Sequence, residues 1–219
     1  WIREERGMEL YQSGSAFLEI EPLSEFLASQ LAEGICRQAV LYDLDYYHGK
    51  LISKCPLFTS EPVGLAKASA VFHGAEHTIP DLLQYFRGIG SEDAFRRMCI
   101  LDAIILNPDR HYGNFGVLFD TATMEVLQMA PVFDNNKSLL PELDNDQLAA
   151  PDWYIARCRP RIGRDFILTA RGLLTDEIRA DLERMRDFTF RQHPKIQAEQ
   201  MRLDALSGIV RERIRQILA

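Results

Sequence analysis

The segment that most narrows the possible folds is residues 92–120, EDAFRRMCILDAIILNPDRHYGNFGVLFD. Phe95, Met98, Cys99, Leu101, Ala103, Ile104 and Ile105 recur at helical spacing and give one helix a broad apolar surface. Such a helix needs cover from other elements. Pro108 disfavours helical geometry in the residue before it and ends the helix at Asn107. Polar chemistry follows at once: Asp109, Arg110, His111 and Asn114 surround Gly113. NFGVLFD and MEVLQMA then read as two strands joined by TAT, and PVFDNNKSLL reads as an extended or loop segment. The polar stretch is either a decorated turn between helix and hairpin or an active-site loop.

With 219 residues, 47% of them hydrophobic and 26% charged, the chain can build one large domain or two small lobes. Residues 1–9 suggest a short strand and a polar turn. After Pro22, LSEFLASQLAEGI carries Leu23, Phe26, Leu27, Leu31 and Ile35 on one helical face, with Gly34 as a stop signal. QAVLYDLDYY and LISKC are strand-like around a tight HGK turn. Pro56, Pro62, Gly64, Gly74 and Pro80 mark residues 56–80 as a connector. Beyond Pro80 the helical period dominates, in DLLQYFRGIG, in the helix described above, and over roughly 163–171, 175–192 and 195–218. The expected architecture is α+β and bilobal. A small mixed lobe spans residues 1–57, a larger helical lobe spans 58–219, and a ligand cleft lies between them.

A net charge of −7 argues against general binding to nucleic acid or to membrane surfaces. The four arginines of Arg157–Arg164 are a local exception. Cys36, Cys55, Cys99 and Cys158 are widely spaced, with no C-x-x-C pair for zinc. They read as reduced thiols, which points to the cytoplasm. No apolar run is long enough for a bilayer, and no secretory leader is recognisable. The chain opens at Trp1 in strand-like sequence, so a segment upstream is expected.

Phosphoryl transfer asks a protein for one carboxylate that orients the attacking hydroxyl and for oxygen ligands that hold magnesium on the phosphates. Asp109 and Asn114 stand five residues apart, the spacing of a loop that folds back toward a metal. Asp134, preceded by Phe133, returns after the hairpin. Singly, each of the three is an ordinary turn residue; together they describe a loop, hairpin and metal-binding segment that converge. Arg110 reads as a phosphate contact or as a salt bridge from loop to helix. His111 reads as a support that hydrogen-bonds the Asp134 segment or as a half-buried loop histidine. Lys137 either reaches a γ-phosphate or is solvated, and Ser138 is a cap or a substrate-side contact.

LNPDRHYGNFGVLFD…APVFDNNKSL resembles the catalytic segment of the HipA-like serine/threonine kinases, and its DRHxxN loop is similar to that of phosphatidylinositol 3- and 4-kinases. The resemblance spans roughly residues 20–219 and is specific in 100–140. It implies a protein-kinase-like fold that uses ATP and magnesium to phosphorylate a protein, in a bacterial cell, with an antitoxin-type protein partner. Asp109 then looks like the catalytic base, flanked by Arg110 and His111, and Asn114 and Asp134 look like the magnesium ligands. In the small lobe the resemblance asks for a strand lysine paired with a helix glutamate. Glu25 is on the right kind of helix, whereas Arg3 in WIR stands where relatives carry lysine. Arginine keeps the charge in a different geometry. No Gly-rich phosphate loop is visible. Backbone groups near Lys54, Cys55 and Leu57 are candidates for the adenine edge, with Phe58 as a pocket wall. Two rival readings remain: a lipid or small-molecule kinase, and a pseudokinase that serves as an interaction module.

Overall fold

The computed structural model describes residues 2–4, 7–15, 20–72 and 77–219, with the side chains of Arg3 and Glu4 outside the description. Four strands form the first sheet: β1 (Ile2–Glu4), β2 (Gly7–Ser13), β3 (Asp43–Tyr47) and β4 (Lys50–Pro56). The sheet is antiparallel, in the order β1-β2-β4-β3. Helix α1 (Glu21–Ile35) connects β2 to β3 and packs over β4. The β3–β4 turn is His48–Gly49, with φ of 49° and 75°. Two consecutive positive φ values define the hairpin turn whose twist matches its strands, and glycine takes the second without strain.

The second region begins with β5 (Val63–Lys67) and the short helix α2 (Ala68–Val71). Helices α3 (Ile79–Gly88) and α4 (Glu92–Ile105) follow, then the hairpin β6 (Gly116–Asp120) and β7 (Val126–Met129). The helices α5 (Asn145–Leu148), α6 (Asp152–Ile155), α7 (Phe166–Leu173), α8 (Asp176–Arg184) and α9 (Gln200–Leu218) complete it. The chain thus has a mixed α+β, kinase-like architecture.

The expected connector over 56–80 is corrected here, because β5 pairs with β6 as the third strand of a second sheet. VGLAK lacks the alternation of a free-standing strand; its partner, some fifty positions on, makes it one. A Cβ at Gly116 would lie 2.1 Å from the Ala66 carbonyl oxygen, so only glycine lets β5 pass this close. The expected strand over 38–47 forms only from Asp43. Residues 7–13, read in part as a turn, form β2. The long helix expected over 175–192 stops at Arg184. Before Pro194 the backbone instead turns around His193, whose Nδ1 accepts the N–H groups of Lys195 and Ile196 at 3.3 and 3.0 Å.

The apolar helix does what its sequence demands. Phe95, Met98, Ile100, Leu101, Ile104 and Ile105 of α4 are fully buried, and α1, α3, α7 and α9 all pack against it. Each such side chain contributes about 1.5–3 kcal/mol by leaving water. Arg97 on the same helix donates to Asp181 of α8 and to the Ile35 carbonyl at the end of α1, which ties both regions to one rigid post. All four cysteines are free thiols. Among the described residues no helix is long and apolar enough to cross a membrane.

Candidate active site

The loop after α4 starts from a left-handed residue, Leu106 at φ 54°, which turns the chain out of the helix one residue before the proline rule alone would end it. Asn107 is buried; its Nδ2 donates to Asp102 at 3.1 Å and its Oδ1 accepts the Asp109 N–H at 3.0 Å. Asn114 returns to the same loop, its Nδ2 donating to the Asp109 carbonyl at 3.0 Å. That bond fixes the side chain and leaves Oδ1 as its outward oxygen. Among the described residues the Asp109 carboxylate accepts no hydrogen bond from a side chain or backbone N–H; the Arg161 guanidinium lies 3.7 Å from it and the His111 ring 4.0 Å.

Arg110 holds the site together. Its guanidinium is buried and reaches Asp102 on α4 at 3.0 Å, the Asn114 carbonyl at 2.7 Å, the Phe133 carbonyl and Asn135 Oδ1. Of the two readings of Arg110, the salt bridge from loop to helix is the one the structure shows, to Asp102 on α4; its donors are spent inside the protein, so its place as a catalytic phosphate contact is corrected. It locks the catalytic loop to the segment that carries Asp134. His111, read as a support for the Asp134 segment or as a half-buried loop histidine, makes no hydrogen bond to that segment among the described residues. It instead accepts the Gly113 N–H on Nδ1 at 2.9 Å and stays half-exposed beside Asp109. Burial pushes the Asp102 carboxyl upward in pKa, and the Arg110 guanidinium opposes that rise.

Asp134 sits at φ 59°, and its N–H donates to the Tyr42 hydroxyl at 3.3 Å. Burial raises the pKa of its carboxyl; Arg110 pulls it down, Asp109 pushes it up, and His111 and Lys67 pull it down. Asp109 is thus one of the charges that the Asp134 carboxyl feels, and it disfavours ionised Asp134. An oxygen-rich pair of this kind suits a hard divalent cation, with Asn114 Oδ1 as the third protein oxygen at hand. Lys67 is the cation that sequence reasoning missed. It ends β5 opposite Gly116 and makes no ion pair among the described residues. Its only sequence signal was a strand that had been read as connector.

Glu25 lies on the inner face of α1, fully buried. Ser53 of β4 donates to its Oε2 at 2.6 Å, and its Oε1 has no hydrogen-bond partner. Arg3 lies on the edge strand β1 opposite Met8, with β2 between it and β4. The strand residue opposite Ser53 is Gln12. Burial raises the Glu25 pKa from 4.5 to about 7. Folding thus favours protonated Glu25. This stability is fully present below the unfolded value and is lost as pH rises through the folded one. Glu25→Gln keeps the acceptor for Ser53 and removes the charge. It should exceed wild type by up to about 3 kcal/mol at pH 8, with the gap closing toward pH 4. Urea unfolding across that range measures it, and a gap independent of pH would refute it.

Lys137, three positions after Asp134, pairs with the buried Glu21 of α1, so it is neither solvated nor loose. Glu21 also accepts the backbone N–H and the hydroxyl of Ser15, each at 3.0 Å. Ser138 caps its own turn by donating to the Asn135 carbonyl.

Of the adenine-edge residues, Leu57 donates its N–H to the Met8 carbonyl at 2.9 Å and is not available. Lys54 pairs with Asp45 at 2.7 Å. Cys55 lies past the last β3 partner, its thiol pushed by burial to about 12. It joins Val40 and Tyr42 in a small cluster on which Leu10, Phe58 and Phe133 pack. Phe58 stacks on Phe133 at 5.7 Å, so the segment after β4 and the residue before Asp134 share one apolar wall.

Arg110 thus joins the loop after α4 to the segment that follows the β6–β7 hairpin, and the class of the fold is kinase-like by its likeness to a solved kinase. Among solved structures, the chain is similar to the Helicobacter pylori proinflammatory kinase CtkA, with a TM-score of 0.67 and 17% identity over 96% of this chain and 87% of that one. No protein-family model and no curated protein matches the sequence.

Proposed function

We propose that this chain is a HipA-like kinase that transfers the γ-phosphate of ATP to a serine or threonine hydroxyl of a protein. The observation that carries the reading is the Arg110 lock. One buried guanidinium bonds α4, the Asn114 carbonyl, the Phe133 carbonyl and Asn135, which ties the loop that carries Asp109 and Asn114 to the segment that carries Asp134. Bound magnesium would neutralise charge that develops on the phosphates during transfer. Asp134 and Asn114 Oδ1 supply the protein oxygens for it. Asp109 orients the acceptor hydroxyl and takes its proton as the oxygen bonds the γ-phosphorus and ADP departs. Lys67 offers a positive charge on the same side as Asp134. The cluster of Leu10, Cys55, Phe58 and Phe133 offers an apolar surface for the adenine. A protein acceptor and an antitoxin-type partner belong to the same proposal.

One observation favours the pseudokinase reading: Gln12 faces Ser53 where a strand cation would meet Glu25, and Glu25 Oε1 is unpartnered. Thermal unfolding with and without magnesium-ATP separates the two. Ligand at about a hundred times its Kd stabilises the native state by about 2.7 kcal/mol, a rise of several degrees for a chain of this size. A magnesium-dependent rise that Asp134→Asn loses supports the metal–nucleotide site. No rise in wild type would end the kinase proposal in favour of an interaction module.

A further inference from the structure

A groove of about 690 Å³ runs between the start of α3 and the length of α7, away from the nucleotide side of the cleft. Its floor is aliphatic, from Leu83, Leu168 and Leu173, and Leu168 is 69% exposed. Its rim carries two cations, Arg161 and Arg164. Arg164 makes no hydrogen bond or ion pair among the described residues. The nearest acid, Asp165, spends Oδ1 as the cap of α7 by accepting the Leu168 N–H at 2.9 Å. The other two arginines of the 157–164 cluster are used locally: Arg157 lies over the Trp153 ring and Arg159 donates to carbonyls of its own turn. The groove lining thus carries two arginines against the single carboxylate of Asp165, in a chain whose net charge is −7.

It is also joined to the catalytic loop. Tyr112, three positions after Asp109, lines it, and Arg161 reaches from its rim to within 3.7 Å of the Asp109 carboxylate. A segment lying in the groove would pass both arginines on its way to Asp109. Guanidinium forks bind carboxylates in two-point contacts and repel lysine and arginine. The aliphatic floor takes a leucine-sized side chain, and it lacks the run of aromatic faces on which nucleic-acid bases stack.

We infer that this groove is the acceptor's docking channel and that it selects an acidic protein segment with an aliphatic residue beside the serine or threonine. The inference rests on the kinase reading. In a substrate complex Arg161 exchanges Asp109 for an acceptor carboxylate, which frees the base for the incoming hydroxyl.

The test uses fluorescent peptides of equal length, one serine flanked by leucine and glutamates and one with lysines in place of the glutamates. Anisotropy reads binding to the full chain without turnover. The acidic peptide should bind at least tenfold more tightly, with the preference shrinking as salt rises. Arg161→Glu/Arg164→Glu should abolish or invert it. Arg164→Glu alone, which breaks no contact in the fold, should weaken it severalfold. Equal binding of the two peptides, a preference unmoved by the reversals, or equal competition by a single-stranded oligonucleotide overturns the inference. The magnesium-ATP unfolding shift, read on the same proteins, reports the kinase reading separately. Acidic-peptide selectivity without that shift would leave a peptide-binding groove but overturn its acceptor role along with the kinase reading; the shift without selectivity would keep the kinase reading and overturn the groove.

Discussion

Arg110→Ala is expected to destabilise the protein by about 3–5 kcal/mol, the cost of leaving a buried charge without its partner. Asp102 is buried on the central helix and its ion-pair partner is Arg110, at 3.0 Å. The substitution also orphans the Asn114 and Phe133 carbonyls and Asn135 Oδ1, each worth roughly a further 1 kcal/mol. Asp134 would lose the contacts that hold its neighbours while its own φ stays at 59°. Since a domain's whole stability is about 5–15 kcal/mol, the single variant can fail to fold. Asp102→Ala/Arg110→Ala removes the stranded charge as well and should recover part of the loss. Urea unfolding of wild type, Arg110→Ala, Asp102→Ala and the double variant decides it. A loss under about 1 kcal/mol in Arg110→Ala, or a double variant worse than the sum of the singles, would mean that the pair is not the lock described above.

Asp109→Asn is expected to lower phosphoryl transfer by about a hundred- to ten-thousandfold, the usual worth of a positioned general base. The magnesium-ATP unfolding shift should survive. The fold asks little of this carboxylate: only Arg161, at 3.7 Å, and His111, at 4.0 Å, approach it, and the loop is shaped instead by the Asp109 N–H and carbonyl. Asparagine keeps both backbone groups and the side-chain shape. Transfer at the wild-type rate would remove Asp109 from the chemistry. Loss of the nucleotide shift as well would place it among the metal ligands.

Local pattern made much of the large region legible. The α4 periodicity, the Pro108 stop, the β6–β7 hairpin and the loop at Asp134 all follow from nearest neighbours in sequence. The spacing of Asp109, Asn114 and Asp134 singled them out for the same reason. What failed was pairing over distance. β5 exists because β6 binds it, and Gly116 permits the approach. Nothing within VGLAK announces this. Asp102 has no local motif to mark it, and its role is set by the position of Arg110.

The sequence by itself determined that a buried helix must end in a polar loop and that three oxygen-bearing side chains follow at kinase-like spacing, because turn chemistry and helical period act over a few residues. The tertiary structure decided who does what in that loop. Arg110 is the inward lock and His111 the outward neighbour because the chain's exit from α4 at Leu106 turns one toward Asp102 and leaves the other half-exposed. It also decided that Gln12 of β2 and Leu44 of β3 flank Ser53, the partner of Glu25, since strand order and register are set by hydrogen bonds between segments far apart in the chain.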